Sequence, residues 1–198
     1  MPITDDVLGI KSKLQRADAV ILASPVYVED VNGIMKNWID RMAHVCHRPE
    51  FARKYAYALT TSGVGSTNHA LRTLNTALRT WGFYIVGQAG FRTGAHMRQA
   101  DLERQYEDET RKIAGEVVTA IHTQKASRPT FLSMMTFKIQ QAYWRKPPDD
   151  SNERHDYEYW QRKGWTDPKR EFYIRHKSSR VKAVIARMSG ALLSRFVI

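Results

Sequence analysis

Two short stretches hold residues whose types and spacing suit ligand chemistry. Ser24-Pro25-Val26-Tyr27 follows one apolar run, and Thr61-Ser62-Gly63-Val64-Gly65 follows another. Glycine lets a backbone approach a ligand closely, and backbone N–H groups can hydrogen-bond a ligand's polar atoms. Tyr27 adds an aromatic side chain to the first stretch. Neither stretch brings a nucleophile together with a base, so the chemistry they suit is binding. Taken alone, the first stretch is better explained as a strand-ending turn with an ordinary core tyrosine.

Other chemically able residues have plainer explanations. His44, Cys46 and His47 cluster near a helix end, but three potential ligands at irregular spacing, without a fourth, make a poor metal site. The acidic stretch Asp101–Glu109 falls in the first turns of a helix, where carboxylates suit the helix dipole. Trp38 and Trp81 sit on apolar stripes and read as core or subunit interface.

The elements that must position the two loops can be read from periodicity. Residues 5–18 read as a helix capped by Asp5 or Asp6, with Val7, Ile10 and Leu14 at helical spacing. Ala19–Ala23 is an unalternating apolar run, expected to be a strand buried on both faces and ended by Ser24-Pro25. A helix over 32–46 carries Ile34, Trp38, Ile39 and Met42 on one stripe. A strand over 54–63 and a helix over 66–82 follow; the helix has Leu71, Leu74 and Leu78 inside and Gly82 at its end. Residues 83–90 read as a third strand, and 100–125 as a long helix with Tyr106, Ile113, Val117 and Ile121 inside. Strands alternating with helices predict an α/β fold with a parallel sheet and right-handed crossovers, its ligand lying outside the carboxyl ends of the strands. Three strands fall short of the usual five or so. The chain therefore reads as the later part of a doubly wound domain.

A second region begins near residue 127. Residues 129–145 predict a helix with Phe131, Met135, Ile139 and Ala142 on its apolar stripe, ended by Pro147-Pro148. A short helix over 151–163 stops at Gly164-Trp165. The last segment places Val181, Val184, Ile185, Met188 and Leu192 on one face, with Lys182, Arg187 and Arg195 elsewhere. Such a basic amphipathic helix can lie on an anionic membrane surface, but packing on its own domain or a twin subunit is the favoured reading.

Charge follows the same division. The chain of 198 residues carries a net charge of +11. Residues 1–124 hold 15 Lys and Arg against 13 Asp and Glu, and residues 125–198 hold 16 against 7. The excess belongs to the tail, so a general nucleic-acid-binding domain is a poor description. The single Cys46 excludes an intramolecular disulfide framework. No signal peptide and no apolar run long enough to span a membrane is visible, which makes the cytoplasm the default expectation.

With strand, loop and helix in this order, residues 17–42 (ADAVILASPVYVEDVNGIMKNWIDRM) and 60–83 (TTSGVGSTNHALRTLNTALRTWGF) resemble the NADPH-dependent FMN reductase branch of the flavodoxin-like superfamily. Residues 156–188 resemble a C-terminal extension of some members. The resemblance implies a flavodoxin-like doubly wound sheet lacking its first strands over 1–126, followed by a basic helical extension over 127–198. Family members begin with a strand, a Ser/Gly-rich phosphate loop, a helix and a second strand, and some carry a cysteine-bearing segment before the position of Pro2-Ile3. On that comparison the chain reads as N-terminally truncated, with its first strand an open apolar edge.

The resemblance further implies cofactor-binding roles for Ser24, Pro25, Val26, Tyr27, Thr61, Ser62, Gly63 and Gly65. The first loop would pack on the FMN ring, with the amides near Val26 and Tyr27 at its polar edge, and the second would wrap the pyrimidine side. The implied activity is hydride transfer from NAD(P)H to flavin, then to a quinone, nitro compound or flavin acceptor. Flavin carries that chemistry, so no catalytic side chain is expected. A homodimer is implied as well, and Tyr157, Tyr159, Trp160 and Trp165 are candidates to cover the flavin region. The alternative is a non-catalytic interaction protein that docks to a partner or an acidic membrane surface through its C-terminal helix.

Overall fold

The computed structural model describes residues 5–94, 97–125, 129–174, 176–177 and 179–197; Pro2 and Ile3, and the side chains of Lys182 and Arg195, lie outside what is described. Two compact units form, one of Met1–Cys46 and Glu50–Lys125, the other of His47–Pro49 and Ala126–Ile198.

In the first unit the alternation of apolar runs and amphipathic segments becomes α1 (Val7–Arg16), β1 (Ala19–Tyr27), β2 (Asp30–Val31), α2 (Gly33–Arg41), β3 (Tyr55–Ser62), α3 (Asn68–Thr80), β4 (Tyr84–Arg92) and α4 (Gln99–His122). The sheet order is β2-β1-β3-β4, with β1, β3 and β4 parallel and β2 antiparallel to β1. One face is covered by α1, α2 and α3. Its core joins Leu22, Ala56 and Ala58 to Leu71, Leu74, Leu78, Trp81 and Phe83. On the other face α4 brings Ile113 and Val117 onto Tyr57, Ala89 and Phe91. Gly82 closes α3 with φ of 100°, the conformation expected of a glycine past a helix end.

Several details differ from the sequence expectation. β1 is not buried on both faces: Leu22 and Ser24 are buried, whereas Ile21 is 49% exposed. The reason is position. Among the described residues, Ala19–Pro25 has no strand partner on the side away from β3. Ser24-Pro25 does not end the strand either, because an edge tolerates a residue that lacks an N–H. α2 stops at Arg41, and a separate 3-10 turn, Ala43–Cys46, follows. Ile34, expected inside, lies in the first turn of α2 and is exposed. Ile10 of α1 is likewise exposed, while Val7 and Leu14 reach the core. The Asp6 side chain does not cap α1; Asp5 Oδ1 instead accepts the Val7 N–H at 3.1 Å.

The second unit contains α5 (Phe131–Tyr143), α6 (Arg154–Arg162) and α7 (Arg180–Val197). Its core stacks Phe137, Trp144, Trp160 and Trp165 with Phe172 and Tyr173 packed against them. Trp160 donates its indole N–H to the His47 carbonyl at 2.7 Å, and Arg48 pairs with Asp156 at 2.9 Å. The buried face of α5 is Met134, Phe137, Lys138 and Gln141, one position off the predicted stripe. Polar groups account for the shift. Gln141 Nε2 donates to the Trp165 and Asp167 carbonyls, both at 2.8 Å, and Lys138 donates to Gln141 Oε1 and the Arg170 carbonyl. Burial, reinforced by Arg145 and Arg187, pulls the Lys138 ammonium below its ordinary range, against smaller opposing effects of Glu171 and Asp167.

Candidate functional site

The two chemically suited loops lie side by side. In the β1–β3 register Ser24 pairs with Thr60 and Pro25 with Thr61, so both loops leave the carboxyl end of the sheet from adjacent strands. That is where open α/β sheets place ligands. The pairing also fixes their separation, because neighbouring strands in a sheet lie only about 5 Å apart.

The first loop is a tight hairpin. β1 continues to Tyr27, turns through Val28 and Glu29, and returns as β2, with Val26 opposite Val31 and Tyr27 opposite Asp30. Both turn residues have positive φ, 50° at Val28 and 63° at Glu29, as a type I′ turn requires. That conformation suits Asn and Gly, and a β-branched valine is an outlier there. The hairpin is held from below. Ser24 Oγ, buried, accepts from the Asn32 backbone N–H at 3.1 Å and from Asn32 Nδ2 at 3.2 Å, and donates to the Pro25 carbonyl at 2.9 Å. Asn32 Oδ1 in turn accepts the Met35 N–H at 2.9 Å and caps α2. Ser24 is thus committed to internal bonds and positions the loop. Pro25 and Val26 are half-buried, and Tyr27 presents its ring, 65% exposed.

The second loop begins inside β3. Thr61 and Ser62 are its last two strand residues, and Ser62 is buried. The Ser62 carbonyl accepts the Thr93 N–H at 2.8 Å, which ties the loop's root to the end of β4. Gly63 and Gly65 are exposed. A Cβ built on Gly63 would meet nothing within 4 Å, and one on Gly65 would meet only Ser62 Oγ at 3.4 Å. The protein's own packing therefore does not require glycine at 63; the bare backbone opens onto space. Gly90 differs, because a side chain there would collide with Thr67 at the start of α3.

Sequence reasoning missed Asn32, Thr93 and Gly90. Asn32 was detectable as a residue of N-cap type just before a helix. Thr93 and Gly90 carry no local signal, because their partners lie 31 and 23 positions away. The alternative metal cluster takes another form. His44 Nε2 lies 3.2 Å from Lys11 Nζ and its Nδ1 3.3 Å from the Arg41 carbonyl, beside the Lys11–Glu50 pair at 2.8 Å. Trp160 and Trp165, considered as covers for a flavin, are buried in the second unit's own core, where their area is already committed to packing.

An FMN ring fits the residues present. The cradle has an exposed aromatic ring at Tyr27, two loops leaving adjacent strand ends, and open space over Gly63 where a side chain would stand. Comparisons with known proteins cover the same residues. Residues 1–96 match the model of the family described as NADPH-dependent FMN reductase. An iron-sulfur flavoprotein of Archaeoglobus fulgidus is 41% identical over 86 residues, which is 43% of this chain and 39% of that protein. The chain thus spans about two-fifths of the length of this curated relative. Among solved structures, a flavone reductase superposes with a TM-score of 0.50 at 13% identity, over 66% of this chain and 51% of the other. A flavodoxin, WrbA-like protein from Agrobacterium tumefaciens gives 0.45 at 18% identity, over 58% and 73%. At that identity the flavone reductase speaks of the fold alone. Residues 1–96, which hold both loops on a mostly parallel α/β sheet, match the family described as NADPH-dependent FMN reductase.

Proposed function

We propose that this chain supplies the ring-binding part of an FMN-dependent oxidoreductase that takes hydride from NAD(P)H and passes electrons to a small acceptor, such as a quinone, a nitro compound or another flavin. The observation that carries the reading is the Pro25–Thr61 register, which sets two ring-compatible loops side by side within the family-matched residues. Bound FMN would supply the hydride chemistry. The chain's residues bind and orient. Pro25 to Tyr27 border the ring, with Tyr27 flanking its face, and Thr61 to Gly65 lie along the pyrimidine side. Ser24 and Asn32 hold the first loop in place. Ser62, through Thr93, holds the second. The reading extends to a homodimer in the cytoplasm. It is supported by the exposed apolar side chains of Tyr27, Val28, Ile34 and Val64 on or beside the loops, since clustered exposed apolar residues favour burial against a partner.

The test is a titration of the purified chain with FMN, followed by flavin absorbance near about 450 nm and fluorescence quenching. Saturable binding is expected. Tyr27→Ala should weaken it about three- to tenfold, the worth of one aromatic contact. Gly63→Val should weaken it further by filling the open space. A colourless protein that does not quench flavin overturns the reading.

A further inference from the structure

α7 packs with the opposite face from the one its sequence suggests. Its contact with α5 is made by small residues: Ala183, Ala186 and Gly190 are buried, one helical stripe apart in threes and fours. Gly190 is required there, because a Cβ would stand 2.7 Å from Lys138 Cβ and 3.1 Å from the Met135 carbonyl. The helices approach closely through this stripe. The large apolar residues are left outside. Val181 is 68% and Met188 66% exposed, and Val184, Ile185 and Leu192 are exposed with them. At 100° per residue these five fall within an arc of about 100°, diametrically opposite the small-residue stripe.

Charge identifies what fits this face. The α7 sequence contains Arg180, Lys182, Arg187 and Arg195 and no Asp or Glu, within an extension where 16 cations face 7 anions. Arg187 is exposed beside the stripe. A second copy of the same helix would bring like charges together with no carboxylate to offset them. Among the described residues no helix is long and apolar enough to cross a membrane. A helix with an outward apolar stripe and only cationic charge suits the plane of an anionic bilayer, with its side chains in the acyl boundary and its cations at the headgroups.

We propose that α7 is an in-plane membrane anchor that docks the chain on an anionic phospholipid surface through Val181, Val184, Ile185, Met188 and Leu192. This docking is independent of the flavin site. It is tested by co-sedimentation of the full chain with vesicles of phosphatidylcholine alone and of equimolar phosphatidylglycerol and phosphatidylcholine. The chain sediments with the anionic vesicles about tenfold more than with the neutral ones, and the difference collapses at high salt. The double variant Ile185→Glu/Met188→Glu, at two exposed positions that make no part of the α5 contact, lowers sedimentation by about tenfold or more. Circular dichroism confirms that the variant keeps its helix content. Absence of binding to anionic vesicles overturns the proposal, as does equal binding to both compositions. Concentration-dependent self-association that the double variant abolishes, or capture of an acidic protein without vesicle binding, assigns the face to a protein partner and overturns it too. The comparison of lipid compositions with the unaltered chain stands even if the variant misfolds.

Discussion

The Val28-Glu29 turn gives a prediction in which substitution stabilises the protein. Both residues occupy the left-handed region, with φ of 50° and 63°, and Val28 is fully exposed, so replacing it removes no packing. A residue with a Cβ is destabilised by about 1–2 kcal/mol in this region, and glycine by almost nothing. Glu29→Gly should therefore stabilise the first unit by about 1 kcal/mol, less than the full penalty because glycine loses more entropy on folding. Val28→Asn should add about 1 kcal/mol, since Asn tolerates the conformation that a β-branched residue resists. The Asn-Gly dipeptide so formed is also the sequence that type I′ hairpins favour. Together the two changes contribute about 2 kcal/mol. For a unit of this size that raises the melting temperature by roughly 6–10 °C. Urea unfolding should show the same gain in midpoint with an unchanged slope, which separates native-state strain relief from a change in compactness. A double variant with unchanged or lowered stability would refute the assignment of strain to this turn.

Four further outcomes follow from single contacts. Thr60 is fully buried with its hydroxyl unpaired, so Thr60→Val, nearly isosteric, should raise stability by about 1 kcal/mol in urea unfolding. Asn32→Ala removes both the α2 cap and the clamp on Ser24, and should lose about 2 kcal/mol together with FMN affinity, read by unfolding and by flavin titration. Trp160→Phe keeps the ring stack but leaves the His47 carbonyl without its donor, at a cost of about 1 kcal/mol, read as a lower unfolding midpoint of the second unit. Burial lowers the Lys138 ammonium's pKa in the folded state, so the unfolded chain holds more protons just below pH 10.5. Stability of the native chain relative to Lys138→Met should therefore rise as pH climbs toward 10.5, and denaturation midpoints of both proteins between neutral pH and 10 check the sign.

The order of strands and helices in the first unit was legible because each element repeats its own period. The apolar run before Ser24 and the leucines of α3 leave few other foldings. The two loops were legible for the same reason, since they had to follow β1 and β3. What escaped depends on partners distant in sequence. Ile21 reads as core in an apolar run, yet it is half exposed because β1 lies at the sheet's edge. Pro25 reads as a strand end for the same missing reason. The hairpin at Val28-Glu29 lacks the Asn-Gly signal, and only its strained backbone reveals it. In the second unit the large residues of α5 and α7 suggest other faces than those that pack within the unit. Lys138 and Gln141 are buried on α5 because they satisfy carbonyls of the 165–170 loop, and α7 packs by its small residues because Gly190 permits close approach. Periodicity ranks residues by hydrophobicity and cannot foresee either kind of contact.

The central claim is that an FMN ring is held between the two loops, and backbone amide spectra report that directly. With isotope-labelled protein and added FMN, the amide resonances of Val26, Tyr27, Gly63 and Gly65 should shift together and saturate at one common affinity. Saturable shifts confined to other residues, or none at all, would contradict the claim.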